Sequence, residues 1–262
     1  MSLMCMITGG KNETLIYDVG SEYGFFTPPG QRRPEGIAYR FAEANATLIF
    51  VWSSTLANVE VLNSTHNALH LDRPVQFLLD SIDQVDIVVL NSGHHWNRGK
   101  MVENKFNFYY DGVRVHEKDP LYLVSNAYNQ TVHAVVHWLS RRIAGTQKQA
   151  FYRTLSPRHF RNGDWNTGGT CDSSRFEKNV PVEGNPIDPL AERATFGTNV
   201  KLLNITSLSL VRGEAHISKF GGPHVRQDCL HWCMPGVPDT WNEVLLAMLS
   251  PPIHRRRVPP HD

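Results

Sequence analysis

The sequence predicts an α/β domain organised on a parallel sheet. Two short apolar runs rich in β-branched residues, 46–53 and 85–93, read as buried strands. Helical periodicity separates and follows them, and strands alternating with helices imply parallel pairing. With 262 residues, 41% of them hydrophobic, the chain can fill one sizeable core.

In chain order, "ATLIFVWS" (46–53) is the first of these strands. "RPVQFLLDSI" reads as a helix with Pro74 near its start. "VDIVVLNSG" (85–93) is the next strand, and its Asn-Ser-Gly end opens a loop where parallel sheets bind ligands. The longest helical pattern is "DPLYLVSNAYNQTVHAVVHWLSRRI". Leu121, Val124, Tyr128, Val132, Val135, Leu139 and Ile143 form its apolar face, and Arg141 and Arg142 suit its last turn. "QAFYRTLS" follows as a strand, then the loop-rich "PRHFRNGDWNTGGTCDSS". A helix through Ala191–Thr195, a strand at "VKLLNIT" and a helix at "TWNEVLLAML" complete the pattern. Without a repeat or linker, residues 1–250 read as one domain and 251–262 as a basic tail.

A net charge of +1 argues against a nucleic-acid partner, and the basic "HRRRVPPHD" reads as a solvated tail. No apolar run approaches the roughly 18 residues that cross a bilayer, and no signal peptide is visible. Five glycosylation sequons, at Asn12, Asn45, Asn63, Asn129 and Asn204, point instead to the secretory pathway. Four cysteines, two of them flanking an acid–base pair, fit an oxidising compartment.

That pair is in "QDCLHWCMPGVPDTW". Asp228 can hold the Nδ1–H of His231 and leave Nε2 to take a proton from a hydroxyl. The bare spacing also describes a turn with a surface histidine; the surrounding Cys229, Trp232, Cys233 and Pro235-Gly236 make the setting unusual. A serine nucleophile needs tight glycine-assisted geometry after a strand. Gly163-Asp164 leads into Trp165, Ser21 lies outside a G-x-S-x-G elbow, and Ser92 sits in a candidate oxyanion loop. No metal site emerges. His94 and His95 are adjacent and diverge, and "HNALH" has Asn67 where a zincin helix carries Glu.

"DCLHWCMPGVPDTWNEVLLA", "VVLNSGHHW" and "SPRHFRNGDWNTGGTC" together resemble the plant trichome birefringence-like family, over about residues 1–250. The resemblance implies an SGNH/GDSL-like three-layer α/β/α fold with a parallel sheet. It implies O-acetyl transfer onto a cell-wall polysaccharide in the Golgi, xylan first among the candidates. A non-catalytic glycan binder and a polysaccharide acetylesterase are the alternatives. Family members pair a Gly-Asp-Ser motif with a later Asp-x-x-His. The second is present as Asp228 and His231; the first is absent from this sequence. "MSLMCMI" resembles the helix after the Gly-Asp-Ser turn. The expectation is therefore a chain lacking its first strand, its nucleophile and a membrane anchor found in a full-length form, and unstable as a consequence.

The resemblance further implies Asp228 and His231 as catalytic residues. Asn91 and Gly93 are oxyanion candidates, an ordinary strand-to-loop turn being the other reading. His94, Trp96, Arg158 and His159 are substrate candidates, with packing and loop anchoring as the alternative. Trp96, Trp165 and Trp232 could stack on sugars or fill the core. Cys171 and Cys229 are the disulfide candidate, four free thiols being the other reading. No bound cofactor is expected, the acetyl donor (acetyl-CoA or another acetylated carrier) being a substrate.

Overall fold

The computed structural model describes residues 2–8, 15–26, 35–171, 187–222 and 227–250. Its centre is a parallel sheet of β6 (Ile87–Leu90), β9 (Gln149–Arg153) and β10 (Val200–Leu203), in the order β10-β9-β6. Successive side chains of a strand point to opposite faces. Ala150 and Tyr152 therefore pack with Val200 and Leu90 on one side, against α2 (Gln76–Ser81), α4 (Val124–Ile143) and α5 (Pro189–Thr195). Phe151, with Leu203, meets the other layer: Ile205, Leu208 of α6 (Thr206–Leu210), and Val237, Trp241 and Leu245 of α7 (Val237–Leu249). That is a three-layer α/β/α arrangement.

Two further groups of strands flank this centre. β4 (Ala57–Asn63) and β5 (His66–Pro74) form an antiparallel hairpin, β5 pairs in parallel with β7 (Phe106–Tyr110), and β8 (Val113–Arg114) closes the edge. The β7–β8 turn uses Asp111 and Gly112 at φ 49 and 75, the left-handed pair that a two-residue hairpin needs. Leu69, Leu71 and Phe108 from this sheet pack with Met101 of α3 (Arg98–Glu103) and Ala127 of α4. β1 (Ile16–Asp18), β2 (Gly36–Phe41) and β3 (Ala46–Val51) form a separate antiparallel sheet.

Several expectations need correction. The run 46–53 is not a buried parallel strand: β3 lies at the margin of the antiparallel sheet and Phe50 is 53% exposed. β6 also has an open side, with Ile87 and Val89 exposed. In both cases the apolar run reported strand propensity, not burial. Pro74 ends β5 instead of opening α2, whose N-cap is Val75. "HNALH" is strand, so no helix brings His66 and His70 to one face.

The long helix begins at Val124 because Pro120–Tyr122 forms a separate 3-10 turn capped by Asp119. At its far end Arg142 pairs with Asp83. The first helix, α1 (Ser2–Thr8), packs on α7, where Asn242 donates to Ser2 Oγ (2.8 Å) and Ser2 Oγ donates to Asp239. Asp239 also accepts from the Gly236 N–H (2.6 Å), so the starts of α1 and α7 are tied together. No described helix is long and apolar enough to cross a membrane.

Candidate active site

Asp228 and His231 come together through strand register. β12 (Asp228–Trp232) pairs with β11 (His216–Ser218), and the partners are His216 with Trp232 and Ser218 with Asp228. One residue on β11 therefore faces three on β12, and the surplus bulges outward. Bulges re-aim side chains in this way. Asp228 Oδ1 accepts from the backbone N–H of Leu230 (3.1 Å) and His231 (2.9 Å), and Oδ2 meets His231 Nδ1 at 2.8 Å.

Burial opposes charge on Asp228. The backbone N–H and ring of His231, with the Leu230 N–H, outweigh it and hold the carboxyl below its ordinary value. A carboxylate at Nδ1 assigns the proton to that nitrogen and leaves Nε2 as a lone pair. The His231 side chain is 70% exposed, and no described residue hydrogen-bonds Nε2. The arrangement presents an oriented general base to solvent.

The back of the bulge is fixed from several directions. Cys229 is fully buried and disulfide-bonded to Cys171, with a Cα–Cα distance of 5.8 Å. The His159 N–H donates to the Cys229 carbonyl (3.0 Å). Trp232 donates to Ser156 Oγ (2.6 Å), lies 4.0 Å from the His216 ring and meets Trp241 edge-on. Cys5 and Cys233 are free and exposed.

His159 and His216 form a second imidazole contact behind the first. His159 Nδ1 is 2.7 Å from His216 Nε2; His159 Nε2 faces the Leu210 carbonyl (2.8 Å) and His216 Nδ1 the His231 carbonyl (3.0 Å). Burial lowers both, His216 to about 4. Two neutral rings carry two N–H groups for these three contacts. His159 is thus a loop anchor, with its ring against Gly213, where an added Cβ would come within 3.2 Å.

The other candidates sort by what they touch. Gly93 is at φ 155 and any Cβ there would lie 2.5 Å from Leu155, so the turn requires glycine. Asn91 is engaged at both ends of its amide: Arg153 Nη2 donates to Oδ1 (2.6 Å) and Nδ2 donates to the Arg153 carbonyl (3.3 Å). One Asn91 N–H remains for an oxyanion. Arg153 itself stacks over Trp241 (4.9 Å), and burial pushes its pKa down to about 10. Its role was invisible in the sequence, where it reads as an ordinary strand residue.

His94 keeps an exposed surface, yet desolvation lowers it, with the Ser156 backbone acting the other way. Trp96 is packing material: it donates to Ser92 Oγ (3.0 Å) and lies against Tyr128. Trp232 is likewise enclosed, whereas Trp165 is 61% exposed. Arg158 is exposed and pairs with Asp164 (3.1 Å). Among the described residues no group of three metal-ligating side chains converges.

The sequon asparagines Asn45, Asn63, Asn129 and Asn204 are exposed; Asn12 lies outside the described residues. Thr206, the hydroxyl residue of the Asn204 sequon, is buried and bonds Thr154 and Leu155.

Comparison with known proteins adds context. A family model described as "PC-Esterase: GDSL/SGNH-like Acyl-Esterase family found in Pmr5 and Cas1p" matches residues 1–248. Protein trichome birefringence-like 14 of Arabidopsis thaliana is 42% identical over 95% of this chain and 66% of its own length. Protein trichome birefringence-like 15 of the same plant is 41% identical over 95% of this chain and 53% of its own. Xyloglucan O-acetyltransferase 1, again from Arabidopsis thaliana, is 28% identical over 95% of this chain and 60% of its own. The chain thus spans between about half and two thirds of these curated relatives.

Proposed function

We propose, from the premise that this chain belongs to the PC-esterase family and its trichome birefringence-like branch, that it serves O-acetylation of a cell-wall polysaccharide, with xylan as the first candidate. The observation that carries the reading is the His231–Asp228 pair, with its Nε2 open to solvent and its rear braced by a disulfide and two tryptophans. The name of the xyloglucan acetyltransferase relative supports the same chemistry.

In the proposed first step a serine hydroxyl attacks the acetyl carbonyl of the donor, acetyl-CoA or another acetylated carrier. His231 Nε2 accepts the hydroxyl proton and passes it to the leaving group. In the second step His231 Nε2 takes a proton from a sugar hydroxyl, whose oxygen attacks the acyl-enzyme, and the serine recovers a proton as the ester bond breaks. Asp228 holds the ring in the Nδ1–H tautomer throughout. The Asn91 amide and the backbone at Gly93 are the oxyanion donors, each such donor contributing about 2.7–4 kcal/mol where measured.

The serine belongs to a Gly-Asp-Ser motif that these 262 residues do not contain. A glycan-binding protein without catalysis is the second reading. Reading the coding sequence upstream of Met1 separates them: an in-frame Gly-Asp-Ser supports the enzyme. The direct test is transfer of labelled acetyl to deacetylated xylan, xyloglucan and pectin fragments. His231→Ala must abolish transfer, and transfer that survives this change sinks the mechanism. Release of acetate with no sugar ester formed identifies an acetylesterase instead. The disulfide and the exposed sequons support a working place in the Golgi lumen, which localisation of a tagged full-length protein tests.

A further inference from the structure

Of the tryptophans read from the sequence as sugar-stacking candidates, Trp96 and Trp232 are partly buried against the core and Trp165 is open. A second open tryptophan was passed over by the sequence motifs. Trp52 continues the line of β3: its N–H donates to the Glu35 carbonyl (2.8 Å), and its side chain is left open, the residue being 61% exposed. The His95 ring meets it at 88° and 5.5 Å, an edge contact that fixes the indole and leaves a face of it free.

Trp52 connects to the candidate active site through short steps. His95 follows His94, whose ring is held near the Ser156 backbone. Ser156 receives the Trp232 indole N–H, and Trp232 follows His231. Phe50 stands two residues before Trp52, on the same side of the strand, and is 53% exposed. Phe50 and Trp52 thus share one side of β3, with Glu35 opposite Trp52 across the ladder and His95 against the indole. Keeping a tryptophan open to water has a hydrophobic cost that an occupant would relieve. A pyranose ring suits this surface, since its axial C–H groups cover an indole face while its hydroxyls stay in water or reach His95.

We propose that Trp52, with Phe50 as its weaker neighbour, is a stacking subsite for the backbone pyranoses of the acceptor polysaccharide. The inference rests on the acetyl-transfer reading for the identity of the glycan, but its readout is binding alone. The probes are xylohexaose and a xyloglucan oligosaccharide, titrated into the chain by calorimetry and indole fluorescence.

The wild type is expected to bind with a shift in tryptophan emission. Trp52→Ala is expected to weaken binding about tenfold or more, and Trp52→Phe to retain most of it. Phe50→Ala should have a smaller effect in the same direction. Equal melting temperatures for wild type and variants guard against a folding artefact.

Equal affinity of Trp52→Ala and wild type overturns the subsite, as does failure of the wild type to bind either probe. A dimer that dissociates on Trp52→Ala also overturns it, by assigning the row to a protein interface. In a form that carries the Gly-Asp-Ser serine, acetyl transfer to a monosaccharide acceptor, which needs no extended platform, reports separately on His231. Trp52-dependent binding by that form without any transfer removes the enzyme reading and leaves the subsite standing.

Discussion

An imidazole–carboxylate pair and an imidazole–imidazole pair lie back to back, joined by the contact of His216 with the His231 carbonyl, and live under opposite rules. His231 touches one carboxylate and turns an open edge to solvent, its side chain 70% exposed. His216 is 2% exposed, stacked on Trp232, bonded to His159 and to the carbonyl of His231 itself. In the proposed mechanism the first pair exchanges a proton. The second holds the strand from which the first projects. Identical side chains thus separate into chemistry and support by what surrounds them, and a mutation should show which is which.

The largest expected effect is on the open pair. In the form of the protein that transfers acetyl, His231→Ala or Asp228→Asn should lower the rate by about 10⁴-fold. The melting temperature should hardly move, because His231 is exposed. A large loss of stability with the rate intact would reverse the two roles.

Next comes the tie behind the bulge. Replacing Cys171 and Cys229 with serine opens a loop with a sequence separation of 58, which should cost about 4 kcal/mol in denaturant titrations. An unchanged midpoint would mean that the tryptophans alone hold the strand.

The buried pair should appear in acid. An unfolded histidine titrates near about 6.5, whereas His216 is lowered to about 4 in the fold, and His159 shifts the same way. Between these values the unfolded chain binds more protons, so stability is full above the upper value and falls on acidification until the lower one. For His216 alone the loss amounts to about 3 kcal/mol. His216→Gln should flatten that slope in melts from pH 7 to pH 4, while His231→Ala should keep it.

The smallest effect concerns Asn91. Arg153→Met removes the guanidinium that holds the Asn91 amide oxygen, and should lower kcat with little change in KM, by about tenfold for one hydrogen bond. Arg153→Lys should restore part of the rate.

The sequence was most legible where pattern and burial agree. The periodicity of α4 located its buried face from Val132 to Ile143, because one stripe faces one core. It was less legible at the sheets. β3 and β6 carry apolar runs as rich as any buried strand, yet both lie at open edges. The alternation of β12 is hidden by its bulge, so Asp-x-x-His resembled a turn. Asn91 was readable as a polar residue at a strand end, but its partner was not: Arg153 lies 62 residues away, and only the parallel pairing of β6 with β9 brings them together.

The bulge in β12 carries a consequence for how such a site can drift over generations. Its acid–base contact depends on how many residues separate two paired positions, and side-chain identity alone does not secure it. Losing a single residue between Asp228 and His231 would keep both side chains while dissolving their meeting in space. The length of those few positions therefore matters to the contact as much as the letters themselves.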